Sequence, residues 1–552
     1  MSLDLVIKNA RIVDGSGKPS FVGDVAVAGD RIVSVGPSAG AAARTIDATG
    51  KVVAPGFLDI HTHYDPQICW DRLATPSLLH GVTTVVLGNC SLSLAPVHKG
   101  KSRKLAMMFK QIEDIPLATF DAGVPWTWET FAEYLDTIRP NLGINVSTLV
   151  GHSALRLYVM GDAAQERTAT DDELREMCRV LKEAIAAGAG GLSTSYVDID
   201  EDMRPVPSRF ADTRERIALA QAMAEAGRGV MQTVPVFYDP AEQLRCIEEL
   251  GEISLASGIM CTLAPIVFSP QSPDLWKDSI AKLEEQQVRG ARVYGQSMPR
   301  TFDLNMRLSE TSFLLFGLPA WNALMKLPLR ERLAAFADPS KREELVQQGM
   351  FLFGLWMFTT IGETFCAENA PLRGRRLAEI AEERGVQLSE AVLDIAIKDG
   401  LRTEFQIRGA IHADPTIVAQ ILDHPRVLIG ASDAGAHISQ FCGAGDTAYL
   451  LARFVRERGD FTLERAVHRL TFEPAQAWGI ANRGLLQAGY AADLVVFDQA
   501  TIDRGEEVFV HDFPGDANRY VRSAVGIDQV VVNGQVVVEH GAYTAARPGR
   551  IV

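Results

Sequence analysis

The chain has 552 residues, 47% hydrophobic and 22% charged, with a formal net charge of −15. Those proportions are globular and exclude disorder, collagen and coiled coil, while the acidic balance argues against a nucleic-acid partner, which needs a basic face. No apolar run of about 18 residues predicts a membrane span, and seven scattered cysteines without a CxxC pair fit free thiols in a reducing cytoplasm.

In chain order, Met1–Lys8 reads as a strand and not as a signal peptide. Residues 4–36 then alternate short β-rich runs (Leu5–Ile7, Arg11–Val13, Val25–Val27, Arg31–Val35) with turns at Asp14-Gly15 and Gly29-Asp30. Residues 484–545 have the same texture, with Asn533-Gly534 between two valine runs as a hairpin signal. One composite β-domain, residues 1–54 plus 484–552 and sandwich-like, is expected from the two ends.

Between them, residues 55–483 alternate apolar strands with amphipathic helices. Eight strands are predicted: Phe57–Ile60, Thr83–Leu87, Val146–Val150, Gly191–Thr194, Gly229–Val234, Ile259–Ala264, Ala291–Tyr294 and Val427–Ala431. Helices are predicted over Asp171–Ala187 and Thr213–Ala226, closed by Gly188 and Gly227. This is the α/β pattern of a (β/α)8 TIM-like barrel, with its catalytic mouth at the C-terminal ends of the strands. Two connections, 91–144 and 297–426, are far longer than a usual βα loop, and the second carries the apolar run Phe313–Trp321. Such insertions shape a pocket, cover it or join subunits, which leaves a homo-oligomer open.

The chemistry-bearing residues fall at strand ends. His61-Thr62-His63 ends the first strand, where residues i and i+2 share a face and two imidazoles converge on a divalent metal. Cys90, in Gly88-Asn89-Cys90-Ser91 after the second strand, reads as a soft metal ligand or as a buried inert thiol. Asp433, in Ser432-Asp433 after the eighth, reads as a ligand that also takes a proton from water, or as a cap of the following segment.

His61-Thr62-His63, the segment Gly81–Cys90 and Ser432-Asp433 together resemble the amidohydrolase superfamily, most closely its D-aminoacylase branch. Gly479-Ile480-Ala481 and Gly489–Phe497 match the closing signature of that family, and the resemblance spans nearly the whole chain. It implies a divalent metal, zinc above others, held by His61, His63, Cys90 and Asp433, with Asp433 as proton shuttle. It also suggests His152 in the pocket, against a polar residue that orders the strand-three loop, and Tyr196 as the group that polarises the scissile carbonyl, against an aromatic packed at the barrel rim. The implied activity is hydrolysis of a carbon–nitrogen bond in an N-acyl amino acid or related small-molecule amide. Rival readings are a lactone, cyclic imide or carbamate hydrolase with the same machinery, and a metal-poor ligand-binding or scaffolding homologue.

The chain departs from the pattern at strands five and six, which lack the usual histidines, and strand four offers no bridging lysine. One metal per chain is therefore expected, unless His412, His437 or the weak oxygen ligand Gln232 supplies a replacement. Gln232 also reads as a hydrogen-bonding pocket residue, and Tyr294 and Arg300, on and after strand seven, as substrate-binding, the Arg300 guanidinium either facing a substrate carboxylate or closing a loop salt bridge.

Overall fold

The computed structural model describes residues 2–37 and 39–552. Its centre is an eight-stranded parallel sheet formed by Phe57–Asp59, Val82–Leu87, Asn145–Gly151, Gly191–Ser195, Val230–Val234, Met260–Leu263, Val293–Ser297 and Val427–Ile429, each strand lying beside the next in sequence. All eight expected strands are present, with ends shifted by at most three residues. Nearly every residue in them is buried, as a sheet covered on both faces requires. The sheet curls until its first and last strands meet beyond their ends, where Thr62 and Ala434 form a parallel bridge and the His63 amide donates to the Ala434 carbonyl at 2.8 Å. Below that meeting point Leu58, Ile60, Val86, Leu149, Val230, Met260 and Leu428 form one apolar cluster with Trp478 and Ile480. The mouth therefore has a solid floor.

The outer helices follow from local signals. Thr170 and Glu173 make a reciprocal capping box for the helix Asp171–Ala187, and Gly188, at φ 128°, ends it. The next helix runs Thr213–Glu225, with the Asp212 side chain accepting from the Glu215 amide.

Strands from both chain ends share a second, nine-stranded sheet. Leu494–Phe497 pairs antiparallel with Val52–Pro55, which joins the C-terminal strands to the N-terminal ones. The two expected runs near the start are one strand, Leu3–Ile12, whose register shifts between Ile7 and Ala10. Asn533 and Gly534, both at positive φ, turn the chain between Ile527–Val532 and Gln535–Glu539. A separate hairpin, Asp503–Phe513 with Ala517–Val525, has no counterpart in the sequence reading. It reaches the 297–426 insertion through Asn305, whose side chain donates to Glu507 at 2.8 Å.

That insertion has a core of its own around Trp321, Trp356 and Phe405, with a three-stranded sheet of Leu304–Met306, Phe405–Ile407 and Thr359–Ile361. Within the apolar run, Leu315, Leu318 and Trp321 are buried in that core, whereas Phe313, Leu314 and Phe316 face the cavity at the barrel mouth. The 91–144 connection supplies the helices Ser102–Glu113, Leu117–Gly123 and Phe131–Ile138. Among the described residues, no helix is long and apolar enough to cross a membrane.

Candidate metal centre and active site

The first strand ends at Asp59, so His61 and His63 sit on the bend beyond it rather than on the strand itself. They still converge, with ring centroids 5.4 Å apart. Cys90 follows the second strand at φ 55° and Ser91 at φ 69°, a left-handed pair that turns the thiol back toward the histidines. Two polar side chains pin this turn: the Cys90 amide donates to Gln232 Oε1 at 2.8 Å, and the Ser91 amide to Ser193 Oγ at 2.9 Å. Asp433 is also left-handed, at φ 54°, and its amide donates to the His61 carbonyl at 3.2 Å. Strained backbone thus gathers around one point, as it does at functional sites.

His61 Nε2 lies 3.3 Å from Cys90 Sγ and 3.3 Å from Asp433 Oδ1, and His63 Nε2 lies 3.9 Å from the same oxygen. Donor atoms of His61, His63 and Cys90 all fall within 4.8 Å of one another. Burial holds both imidazoles below their ordinary pKa and pushes the Cys90 thiol well above its own. Burial thus favours the uncharged forms of all three donors in the absence of a cation. The buried Nδ1 atom of His61 has no hydrogen-bond partner. Two nitrogens and a sulfur so placed suit a borderline-soft divalent ion such as zinc, whose charge favours the thiolate. The residues present fit a metal.

The sequence reading missed Glu113. It ends the helix Ser102–Glu113, is buried, and brings Oε1 to 3.2 Å from His63 Nδ1 and Oε2 to 3.8 Å from His437 Nε2. Burial and the nearby Asp433 raise its pKa well above the usual carboxylate range. A lone Glu at the end of an insertion helix carries no motif, so only the folded chain reveals it. His437 lines the cavity, with Nδ1 3.3 Å from Asp114 Oδ2. Asp198 and Arg209 line it too: burial pushes Asp198 up to about 6, and Arg209 Nη1 donates to the carbonyls of Val197 and Asp198 at 3.0 and 3.2 Å.

Five further candidates are engaged in structural contacts. His152 is fully buried outside the cavity lining, with Nε2 2.8 Å from Glu215 Oε1 and Nδ1 3.0 Å from Thr194 Oγ1, and Arg156 pairs with the same Glu215. Tyr196 lies under the Arg216 guanidinium, 4.3 Å from the ring centre, with its hydroxyl buried away from the cavity. Tyr294 packs against the barrel's inner apolar cluster beneath Arg426. Arg300 is occupied by Asp446, 3.1 Å from its Nε, and by the Ser432 carbonyl, 2.9 Å from Nη2. Gln232 is buried below the cavity and acts on Cys90 through the amide contact alone. His412 is likewise taken: Nε2 lies 2.9 Å from the Met298 carbonyl and Nδ1 accepts from the Phe268 amide at 3.1 Å. Where strands five and six lack histidine, the cavity is walled by Val234, Ala264 and Pro265.

Comparison with known proteins identifies the family. The amidohydrolase family matches residues 44–298 and 357–538. The D-aminoacylase of Alcaligenes xylosoxydans xylosoxydans is 33% identical over 560 aligned positions, covering 100% of this chain and 97% of that one. A D-aminoacylase structure described as having a binuclear metal centre superposes with a TM-score of 0.69 at 30% identity, covering 99% of each chain. The N-acyl-D-glutamate deacylase of Bordetella bronchiseptica, complexed with zinc and a phosphonate mimic of the tetrahedral intermediate, gives 0.66 at 27% identity, over 100% of this chain and 99% of its own. The chain belongs to the amidohydrolase family.

Proposed function

We propose that this amidohydrolase is a metal-dependent hydrolase that cleaves the amide of an N-acyl amino acid. The observation that carries the reading is the convergence of His61, His63 and Cys90 donors within 4.8 Å, beside Asp433, at the floor of one cavity. On this reading the curled sheet is a closed (β/α)8 barrel within residues 55–483, and residues 1–54 with 484–552 form the β-sandwich beside it.

His61, His63, Cys90 and Asp433 hold one divalent metal, and the apolar wall at Val234, Ala264 and Pro265 is the reason for one rather than two. A metal held there would supply a Lewis acid for the scissile carbonyl and would lower the pKa of water. Asp433 faces the cavity with a side chain 21% exposed, so its carboxylate reaches substrate and solvent. It takes a proton from the attacking water as the C–O bond forms, and returns it to the nitrogen as the C–N bond breaks. The products are a carboxylic acid and a free amine. Glu113 stands beside the His63 ring, 3.2 Å from Nδ1, and Gln232 holds the turn that presents Cys90. Arg209, placed on the cavity wall, receives the substrate carboxylate in the role expected of Arg300.

The lactone, cyclic imide and carbamate readings use the same residues, and the altered wall at strands five and six is the feature that favours them. Product analysis on matched N-acyl-D-amino acids, N-acyl-L-amino acids, lactones and cyclic imides separates the readings. Release of free amino acid supports the deacylase. Turnover of lactones or imides alone overturns it.

A further inference from the structure

The cavity above the donor cluster has a volume of about 700 Å³, in the upper half of the ~300–1,000 Å³ typical of ligand pockets. Most of its lining is apolar, with Val234 and Pro265 contributed by the curled sheet and Phe302, Phe313, Phe316 and Ile411 by the insertion, while Arg209, Gln243, Ser269, Gln271 and Ser272 add polar positions to the same wall. The apolar surface also continues outward past the rim. Phe237 and Tyr238 line the cavity and are nevertheless 39% and 69% exposed. Exposed aromatic surface continuous with a pocket marks a place where an apolar ligand enters.

A small acetylated amino acid leaves most of this wall unused. We propose that the site takes substrates whose scissile amide carries a long apolar chain, which lies along the wall built by Val234, Pro265 and the insertion. The proposal rests on the deacylase reading and narrows it. The chain has two chemical sources: the acyl group, or the side chain of the amino acid.

The test measures binding and turnover along two series. In one, the acyl group lengthens from acetyl to decanoyl on a fixed glycine. In the other, acetyl is fixed and the amino acid side chain lengthens. Binding is measured by calorimetry on the metal-loaded Asp433→Asn protein, and turnover on the unaltered protein. In the series that fits the wall, affinity and kcat/KM rise about threefold to fourfold per methylene until the cavity is filled. The series that rises identifies the source. Flat affinity in both series, with short substrates still hydrolysed, overturns the proposal and leaves the deacylase reading standing. Rising affinity with no hydrolysis in either series overturns the deacylase reading and keeps the long-chain ligand. Phe316→Ser, checked for an unchanged thermal melt, flattens the rising series. An undiminished slope removes the insertion from the chain-binding wall and overturns that assignment.

Discussion

The two halves of the barrel mouth occupy equivalent places in the fold and differ in chemistry. Strands one, two and eight lead into His61, His63, Cys90 and Asp433, four groups able to bind metal within a few ångströms. Strands five and six end in Val234, Ala264 and Pro265, which have nothing to offer a cation and much to offer an apolar chain. Strand-end position supplies the stage, and only the side chains decide whether a segment becomes metal site or substrate wall.

The comparison breaks most visibly at His61. Removing it as His61→Ala takes away an imbedded nitrogen donor, so metal and activity are lost together; elemental analysis after gel filtration checks this, and full metal content in the variant moves the site elsewhere. Asp433→Asn comes next. The amide keeps volume and an oxygen but cannot carry the proton, so kcat falls by ~10²–10⁴ while the fold and some metal remain. Glu113→Gln sharpens the picture of the polar half. It replaces the carboxyl beside His63 Nδ1 with an amide of the same size, and metal affinity or activity falls by about 10–100-fold, readable by competition with a chelator.

Two smaller effects concern groups that take no part in the metal site. Burial lowers both His412 and His80 from 6.5 to about 4. The unfolded chain therefore takes up these protons first as the pH falls. Their contribution to stability is complete above about pH 6.5 and is lost progressively down to about pH 4, so the denaturant midpoint should fall across that window. His412→Gln should reduce this dependence without altering metal content. His152→Ala should cost about 1–3 kcal/mol of stability by unmaking buried hydrogen bonds to Glu215 and Thr194, with kcat per folded molecule little changed. A large loss of kcat with stability intact would return His152 to the catalytic machinery.

Legibility from the sequence followed the range of the interactions. The eight strands, the helix Asp171–Ala187 and the Asn533-Gly534 hairpin rest on local pattern, caps and turn residues, and all are present in the fold. His61, His63, Cys90 and Asp433 were visible because each stands at a strand end, and strand ends meet at one mouth. Arg300, Tyr196 and His152 also stand near strand ends, yet Asp446, Arg216 and Glu215, distant in sequence, turn them to structural use. Glu113 shows the converse. Its proximity to His63 comes from an inserted helix folding over the mouth, and no short motif encodes that approach.

The central claim is one metal, held by the polar half of the mouth. Titrating zinc into chelator-stripped protein, with activity and bound metal followed on the same sample, tests it most directly. The account predicts that activity reaches its plateau at one equivalent per chain, in parallel with binding, and that His61→Ala binds none tightly. A plateau that requires two equivalents, or full activity in protein stripped of metal, would contradict it.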